Sequence, residues 1–344
     1  MKILKNSLTN KIVIRCDAAN SPKVGTGHLY RCINIANHLS KKFRIDKKNI
    51  IFICKTKNEF FLSKKLLYPY KFTIQSISNS IKENSIQEAK IIAKWNASLI
   101  ILDRISKTNY NFFKILKTKF NKAIIFEDKS EIRKKFDLSI NSLVYPKSNF
   151  KYKNTKIGFK YMLLPISSKK IVTLQKKNYI FLSFGGYDHN NLCTKVIKSL
   201  NKIKRKLTIF VPKTDKSKLK IIELKHKIIF YSRSEYINFF KKCDIAIISG
   251  GLTLFDGIYL KKKIICIPQY RHQLINAARI KAKYPINILK KSKRNFNQEI
   301  INLISKISRY NNSKLNKNNI VSQKSYINTV KYIEKIYEKS IINR

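Results

Sequence analysis

The chain has 344 residues, 44% of them hydrophobic, with 73 Lys+Arg against 19 Asp+Glu and a formal net charge of +54. Apolar residues gather in short runs that suffice for two ordinary cores, which excludes disorder, and no run approaches the ~18–20 residues a membrane span needs. The basic excess is nearly all lysine, spread over the whole length with Ile and Asn inflated beside it. That is the pattern of AT-rich codon drift, not of an arginine-rich, aromatic-interleaved face, so no specific nucleic-acid partner is expected.

In chain order, residues 1–10 carry no apolar leader core, and a cytoplasmic setting is expected. Lys11–Arg15, Ile50–Cys54, Leu99–Asp103 and Ala123–Phe126 are β-branched apolar runs that predict buried strands. Between the first two, Leu29, Cys32, Ile33, Ala36 and Leu39 trace one face of a helix over His28–Ser40. A polar, lysine-rich stretch at Lys147–Lys177 follows, in which only Ile157–Pro165 reads as structured. The pattern then restarts with strands at Tyr179–Phe184, Leu207–Val211, Ile228–Tyr231, Ile245–Ile248 and Ile264–Ile267, and helices at Asn190–Asn201, Ser234–Lys242 and His272–Lys283. Strand–helix alternation implies parallel sheets covered on both sides. We therefore expect an N-terminal Rossmann-like domain over 1–164 and a C-terminal one over 165–310. Residues 311–344 are expected to hold a polar connector, 311–319, and a terminal amphipathic helix marked by Tyr326, Val330, Ile333 and Tyr337. The six cysteines (Cys16, Cys32, Cys54, Cys193, Cys243, Cys266) form no Cys-x-x-Cys pair and the five histidines are dispersed, so no disulfide framework, metal or cofactor is expected.

Three glycine-bearing segments fall where a strand ends and a helix begins, the edge at which parallel sheets bind ligands. Arg15-Cys16-Asp17-Ala18 is followed by Gly25-Thr26-Gly27-His28, a turn that brings backbone close to a ligand or simply caps a helix with a histidine. It is neither a dinucleotide fingerprint, since Tyr30 stands at the third glycine position, nor a Walker loop. Ser183-Phe184-Gly185-Gly186-Tyr187-Asp188 either opens space for a ligand or merely makes a turn. Ser249-Gly250-Gly251-Leu252-Thr253 leads into a helix whose free N–H groups suit a diphosphate, with Asp256 one turn on to accept from ribose or to complement the helix dipole.

The string Arg15-Cys16-Asp17-Ala18…Gly25-Thr26-Gly27-His28-Leu29-Tyr30-Arg31-Cys32 resembles the opening motif of the nucleotide-sugar hydrolases of pseudaminic-acid biosynthesis, which cleave UDP-2,4-diacetamido-2,4,6-trideoxy-β-L-altropyranose. The likeness continues through Asp103, Phe126-Glu127-Asp128, Asp137 with Asn141, Gly158 with Tyr161, residues 183–188, Asp244 to Asp256, and Gln273. It implies the glycosyltransferase-B type of fold, two Rossmann-like parallel-sheet domains facing across a cleft, with UDP held by the C-terminal domain and catalytic groups on the N-terminal one. The family's catalytic histidine falls on His28. The chain departs from the family at Ile105 (usually Tyr), Asp256 (usually Glu), Leu252 (usually Ser) and Pro165 (commonly Arg).

The leading expectation is hydrolysis of a UDP-linked amino-sugar at its anomeric carbon, toward a nonulosonic-acid-type surface glycan. His28 activates water, with Asp17, close in sequence, as its orienting carboxylate. Gly250, Gly251, Leu252 and Thr253 hold the diphosphate and Asp256 the ribose. Arg15, Gly25, Gly27, Asp103, Gly185, Gly186, Asp188, Gln273 and Asn276 complete the substrate contacts. A UDP-sugar-dependent glycosyltransferase of the same fold is the alternative, and a non-enzymatic polyanion-binding protein the third reading.

Overall fold

A computed structural model of the chain describes residues 10–19, 24–143, 152–164, 176–186, 188, 190–219, 224–290, 295–309 and 320–342. Tyr187, Pro165, the side chain of Ile105, most of the 147–177 stretch and the 311–319 connector lie outside the described residues. Chain contacts divide it into two units, Met1–Pro165 with Lys324–Arg344, and Ile166–Gln323.

The first unit contains β1 (Ile12–Arg15), β2 (Ile50–Lys55), β3 (Thr73–Ile77), β4 (Leu99–Ser106), β5 (Lys122–Asp128), β6 (Leu138–Asn141) and β7 (Thr155–Ile157), with helices α1 (Gly27–Phe43), α2 (Phe61–Leu67), α3 (Ile86–Ala93) and α4 (Tyr110–Lys117). The strands form one all-parallel sheet in the order β3-β2-β1-β4-β5-β6-β7. Alternation along the strands sorts their side chains into two layers. Ile12, Ile14 and Cys16 of β1 and its exit, with Leu99 and Ile101 of β4, pack against Leu29, Cys32, Ile33 and Ala36 of α1. Val13, Ile100 and Leu102 pack on the other face, against Ala89 and Ile92 of α3 and Phe112 and Leu116 of α4. Both layers are largely apolar, as a sheet covered on both sides requires. The terminal helix Gln323–Ile342 counts with this unit instead of standing apart. Val330, Ile333 and Tyr337 join the α1 layer, Tyr337 meets Phe43 at 4.8 Å, and Glu334 pairs with His38 at 2.7 Å.

The second unit contains β8 (Lys176–Ser183), β9 (Thr208–Pro212), β10 (Lys227–Tyr231), β11 (Cys243–Ile248), β12 (Lys263–Cys266) and β13 (Ile286–Ile288). Its helices are α5 (Leu192–Leu200), α6 (Lys216–Leu219), α7 (Tyr236–Lys242), α8 (Leu252–Tyr259), α9 (Arg271–Lys281) and α10 (Phe296–Ser308). Its strands are again all parallel, in the order β10-β9-β8-β11-β12-β13. One face buries Ile180, Leu182, Ile245, Ile247 and Ile265 under α5 and α10. The other carries an aromatic layer in which Phe181 stacks on Phe240 with centroids 4.2 Å apart. In both units the first strand is the switch point of the sheet, with later strands added on either side of it, and the crevice at its carboxyl end is where such sheets take ligands. No helix among the described residues is long and apolar enough to cross a membrane.

Candidate functional site

In the first unit the switch-point strands are β1 and β4, and they deliver His28 and Asp103 to the same edge. Gly27 opens α1, and a Cβ on Gly25 would meet nothing within 4 Å, so packing does not demand glycine there. His28 Nδ1 lies 2.7 Å from Asp103 Oδ1, and His28 is partly exposed while Asp103 is fully buried. A carboxylate at that distance accepts, so Nδ1 carries the proton and Nε2 keeps its lone pair. Nε2 has no hydrogen-bond partner among the described residues. Arg31, one turn further along α1, donates from Nε and Nη2 to the two Asp103 oxygens at 2.7 and 2.6 Å and from Nη1 to Glu127 Oε1 at 3.0 Å. Burial opposes the Asp103 charge, but Arg31 and then His28 outweigh it and hold the carboxyl well below the usual range. The outcome is an imidazole held through Nδ1 by Asp103, with Nε2 left without a partner among the described residues.

Three sequence expectations are corrected in this unit. Asp17 does not orient His28: its Oδ1 takes the backbone N–H of Lys55 at 2.7 Å and the Arg15 guanidinium at 2.7 Å. Alternation is the reason, since Val13 and Arg15 face the layer away from α1 and Asp17 follows them. Arg15 is not a ligand contact, because it is fully buried between Asp17 and Glu88, with Nε 2.8 Å from Glu88 Oε1. Burial opposes the Glu88 charge, yet Arg104 and Arg15 bring its carboxyl down to about 2. Asp103 likewise holds His28 and Arg31 and offers no free oxygen to a sugar. The signal that identifies it is parity in β4: Leu99 and Ile101 face α1, and Asp103 is the next residue in that register. Other motif residues build the edge. Asp128 accepts from Ser106, Thr108 and Ser130, and Asn141 donates to the Asp128 carbonyl at 2.7 Å.

In the second unit three loops at the carboxyl edge are tied together. Gly185 takes a φ of +87°, which favours glycine, and the exposed Gly186 follows it. Asp188 is spent partly on the fold, since its Oδ2 accepts the Cys193 N–H at 2.8 Å at the start of α5. Gly250 is needed for close approach: a Cβ there would stand 2.6 Å from the Gln273 carbonyl oxygen and 2.9 Å from Gln273 Cβ. Gly251 is different, its nearest neighbour being Gln273 Nε2 at 3.9 Å. It caps α8, whose first N–H groups, on Leu252 and Thr253, have no acceptor within the helix. Gln273 Oε1 accepts the Gln269 N–H at 2.8 Å, Gln269 Nε2 donates to the Phe184 carbonyl at 2.6 Å, and Asn190 Nδ2 donates to Gln269 Oε1 at 3.2 Å. Gln269 was missed from sequence, although it sits just after β12 at the same edge as the two glycine loops. Asn276 is buried on α9 one turn beyond Gln273.

Asp256 is 6% exposed and half-satisfied: Tyr236 donates its hydroxyl to Oδ2 at 2.8 Å, and Oδ1 has no partner among the described residues. Burial pushes its carboxyl up to about 6, against the Tyr236 hydrogen bond and Arg233. The folded protein therefore keeps a proton that the unfolded chain releases near pH 4. Stability contributed by the neutral form should be full below that and fall as pH rises through about 6, by on the order of 2–3 kcal/mol. Chemical denaturation at pH 4.5 and 7 should show that decrement in the wild type, and Asp256→Asn should lose it. An equal decrement in Asp256→Asn would assign it elsewhere.

No family model matches the chain. An uncharacterized protein of Methanocaldococcus jannaschii is 28% identical over 284 residues, covering 75% of this chain and 56% of that protein, so the chain spans about half the length of the curated relative it matches. Among solved structures, MurG of Acinetobacter baumannii superposes with a TM-score of 0.61 at 12% identity over 96% of this chain and 99% of that one. LpCGTa, solved in complex with UDP, gives 0.62 at 10% identity over 95% and 99%. Alr3699/HepE of Anabaena, in complex with UDP and glucose, gives 0.53 at 10% over 96% and 97%. At these identities the likeness shows the fold, two parallel-sheet α/β domains of the glycosyltransferase-B type.

Proposed function

We propose that the protein transfers a sugar from a nucleoside diphosphate, UDP in the first instance, to an acceptor hydroxyl. The observation that carries this reading is the His28–Asp103 pair, a base held through Nδ1 with Nε2 unengaged among the described residues. As the acceptor oxygen attacks the anomeric carbon, its proton passes to Nε2 and the sugar–diphosphate bond breaks. The leaving diphosphate gains negative charge, which the N–H groups of Gly251, Leu252 and Thr253 and the α8 dipole stabilise. Asp256, on α8 one turn beyond the Gly250-Gly251 loop, is the candidate acceptor for a ribose hydroxyl. Gln273 and Asn276, on the buried side of α9, hold the loop against Gly250 and Gly251 and serve the donor sugar. On this reading the nucleotide contacts are residues of the second unit and the base is a residue of the first.

Hydrolysis is the second reading, favoured by the ordered motif likeness from Arg15 to Gln273, and it differs only in that water takes the acceptor's place. Purified protein should release UDP from at least one member of a UDP-sugar panel. Release that depends on an added hydroxyl acceptor supports transfer, and equal release in buffer alone supports hydrolysis. Failure to bind UDP by calorimetry at millimolar concentration, with no donor turned over, would sink both.

A further inference from the structure

The start of α8 is not capped from within. Gly251 stands at the cap position with no side chain to accept, and the first turn holds no acidic residue. Gly251, Leu252 and Thr253 are only partly buried, so a ligand can reach this turn. Gln273 of α9 adds a donor to it. Its side chain is 8% exposed, and its Oε1 accepts the Gln269 N–H at 2.8 Å. That bond fixes the sense of the amide. Oε1 is engaged, and Nε2, with two hydrogens, turns toward Gly251, 3.9 Å from where a Cβ on that residue would stand. Nε2 has no partner among the described residues. Gln269 is itself held, because its own Nε2 donates to the Phe184 carbonyl at 2.6 Å.

We propose that Gln273 donates from Nε2 to a phosphate oxygen of the bound nucleotide, joining the N–H groups of Leu252 and Thr253 at the start of α8. The chemistry of the amide carries the choice of ligand group. A sugar hydroxyl brings a hydrogen of its own and is best met by a group that can accept as well as donate, and the acceptor of this side chain is already engaged by Gln269. A phosphate oxygen carries no hydrogen and accepts from several donors at once. A buried donor without a partner gains most from such a charged acceptor. That role rests on the reading that a nucleoside diphosphate binds at α8. It divides the two α9 amides between parts of the ligand, Gln273 on the diphosphate and Asn276, one turn on, with the sugar.

Two substitutions in the full chain separate direct contact from support of the fold. Gln273→Glu keeps the length and an oxygen for the Gln269 N–H, but puts a carboxylate oxygen where the NH2 stood. Gln273→Met keeps the length and gives up the bond to Gln269. UDP titrated by calorimetry at pH 8 should bind about 10–100-fold more weakly to Gln273→Glu, with a smaller loss in Gln273→Met. A Gln273 that only braces the loop gives the reverse order, Gln273→Met weak and Gln273→Glu near wild type, and that result overturns the proposal. A Gln273 that reads only the sugar leaves UDP affinity unchanged in Gln273→Glu and alters KM for the UDP-sugar alone, which overturns it equally. If Gln273→Glu does not fold, the wild-type side-chain amide decides. Its NMR signals, assigned by their loss in Gln273→Met, should move downfield with UDP and stay in place with uridine; signals unmoved by bound UDP overturn the proposal. Wild-type protein that binds no UDP removes the nucleotide reading itself, whereas UDP binding that is the same in wild type and Gln273→Glu removes only the role of Gln273.

Discussion

His28→Ala should lower kcat by about 10²–10⁴-fold while UDP affinity stays within roughly twofold. General acid–base catalysis typically supplies about 3–5 kcal/mol of barrier, and no diphosphate or ribose contact assigned to the second unit involves the imidazole. Asp103→Asn should approach the same loss by a different route. An amide at that position can donate to Nδ1, which moves the ring proton to Nε2 and leaves no lone pair facing outward. Arg31 would keep one acceptor on the amide oxygen and its bond to Glu127, so the fold should survive. Steady-state kinetics on the active donor, with UDP titrated by calorimetry, separate these effects. Near wild-type kcat in His28→Ala would make His28 a helix-start residue without a chemical role.

What could be read from sequence followed the physics of burial. Central strands such as Ile50–Lys55 and Cys243–Ile248 are covered on both faces and show as unbroken apolar runs. Three of the four edge strands do not, the apolar Lys227–Tyr231 being the exception. Thr73–Ile77 is only partly buried and reads TIQSI, and Thr155–Ile157 and Ile286–Ile288 have three residues each, so neither composition nor length marked them. Short helices such as Ile86–Ala93 were passed over for the same reason.

The site divided along a similar line. Positions fixed by local chain geometry, His28 at the start of α1 and the glycines after β8 and β11, were visible. Partners fixed by sheet order were not. Asp103 is 75 residues from His28, and only the β1–β4 pairing brings them together. Asp17 was attractive because it is close in sequence, and strand parity alone would have set it aside. Glu127 lies beyond that rule too, because its left-handed backbone reverses the parity of β5.

The two glycines of the second unit should fail in different ways when each is changed to alanine. At Gly250 the new Cβ would sit 2.6 Å from a main-chain oxygen and 2.9 Å from Cβ of Gln273, neither of which can swing aside. The start of α9 must move, and with it the Gln273–Gln269 bond that ties the three loops. Overpacking of this kind costs about 1–3 kcal/mol, and a rigid backbone obstacle puts Gly250→Ala at the upper end. For a unit of this size that is roughly 5–10 °C in Tm. Gly251→Ala meets only the end of a flexible side chain at 3.9 Å, so the fold should tolerate it. Its methyl would instead occupy the approach to the first N–H groups of α8, and UDP affinity should fall at least tenfold with Tm nearly unchanged. Differential scanning calorimetry and UDP titration on both variants make the comparison. Unchanged UDP affinity in a stable Gly251→Ala protein would mean that the diphosphate is not held at the start of α8.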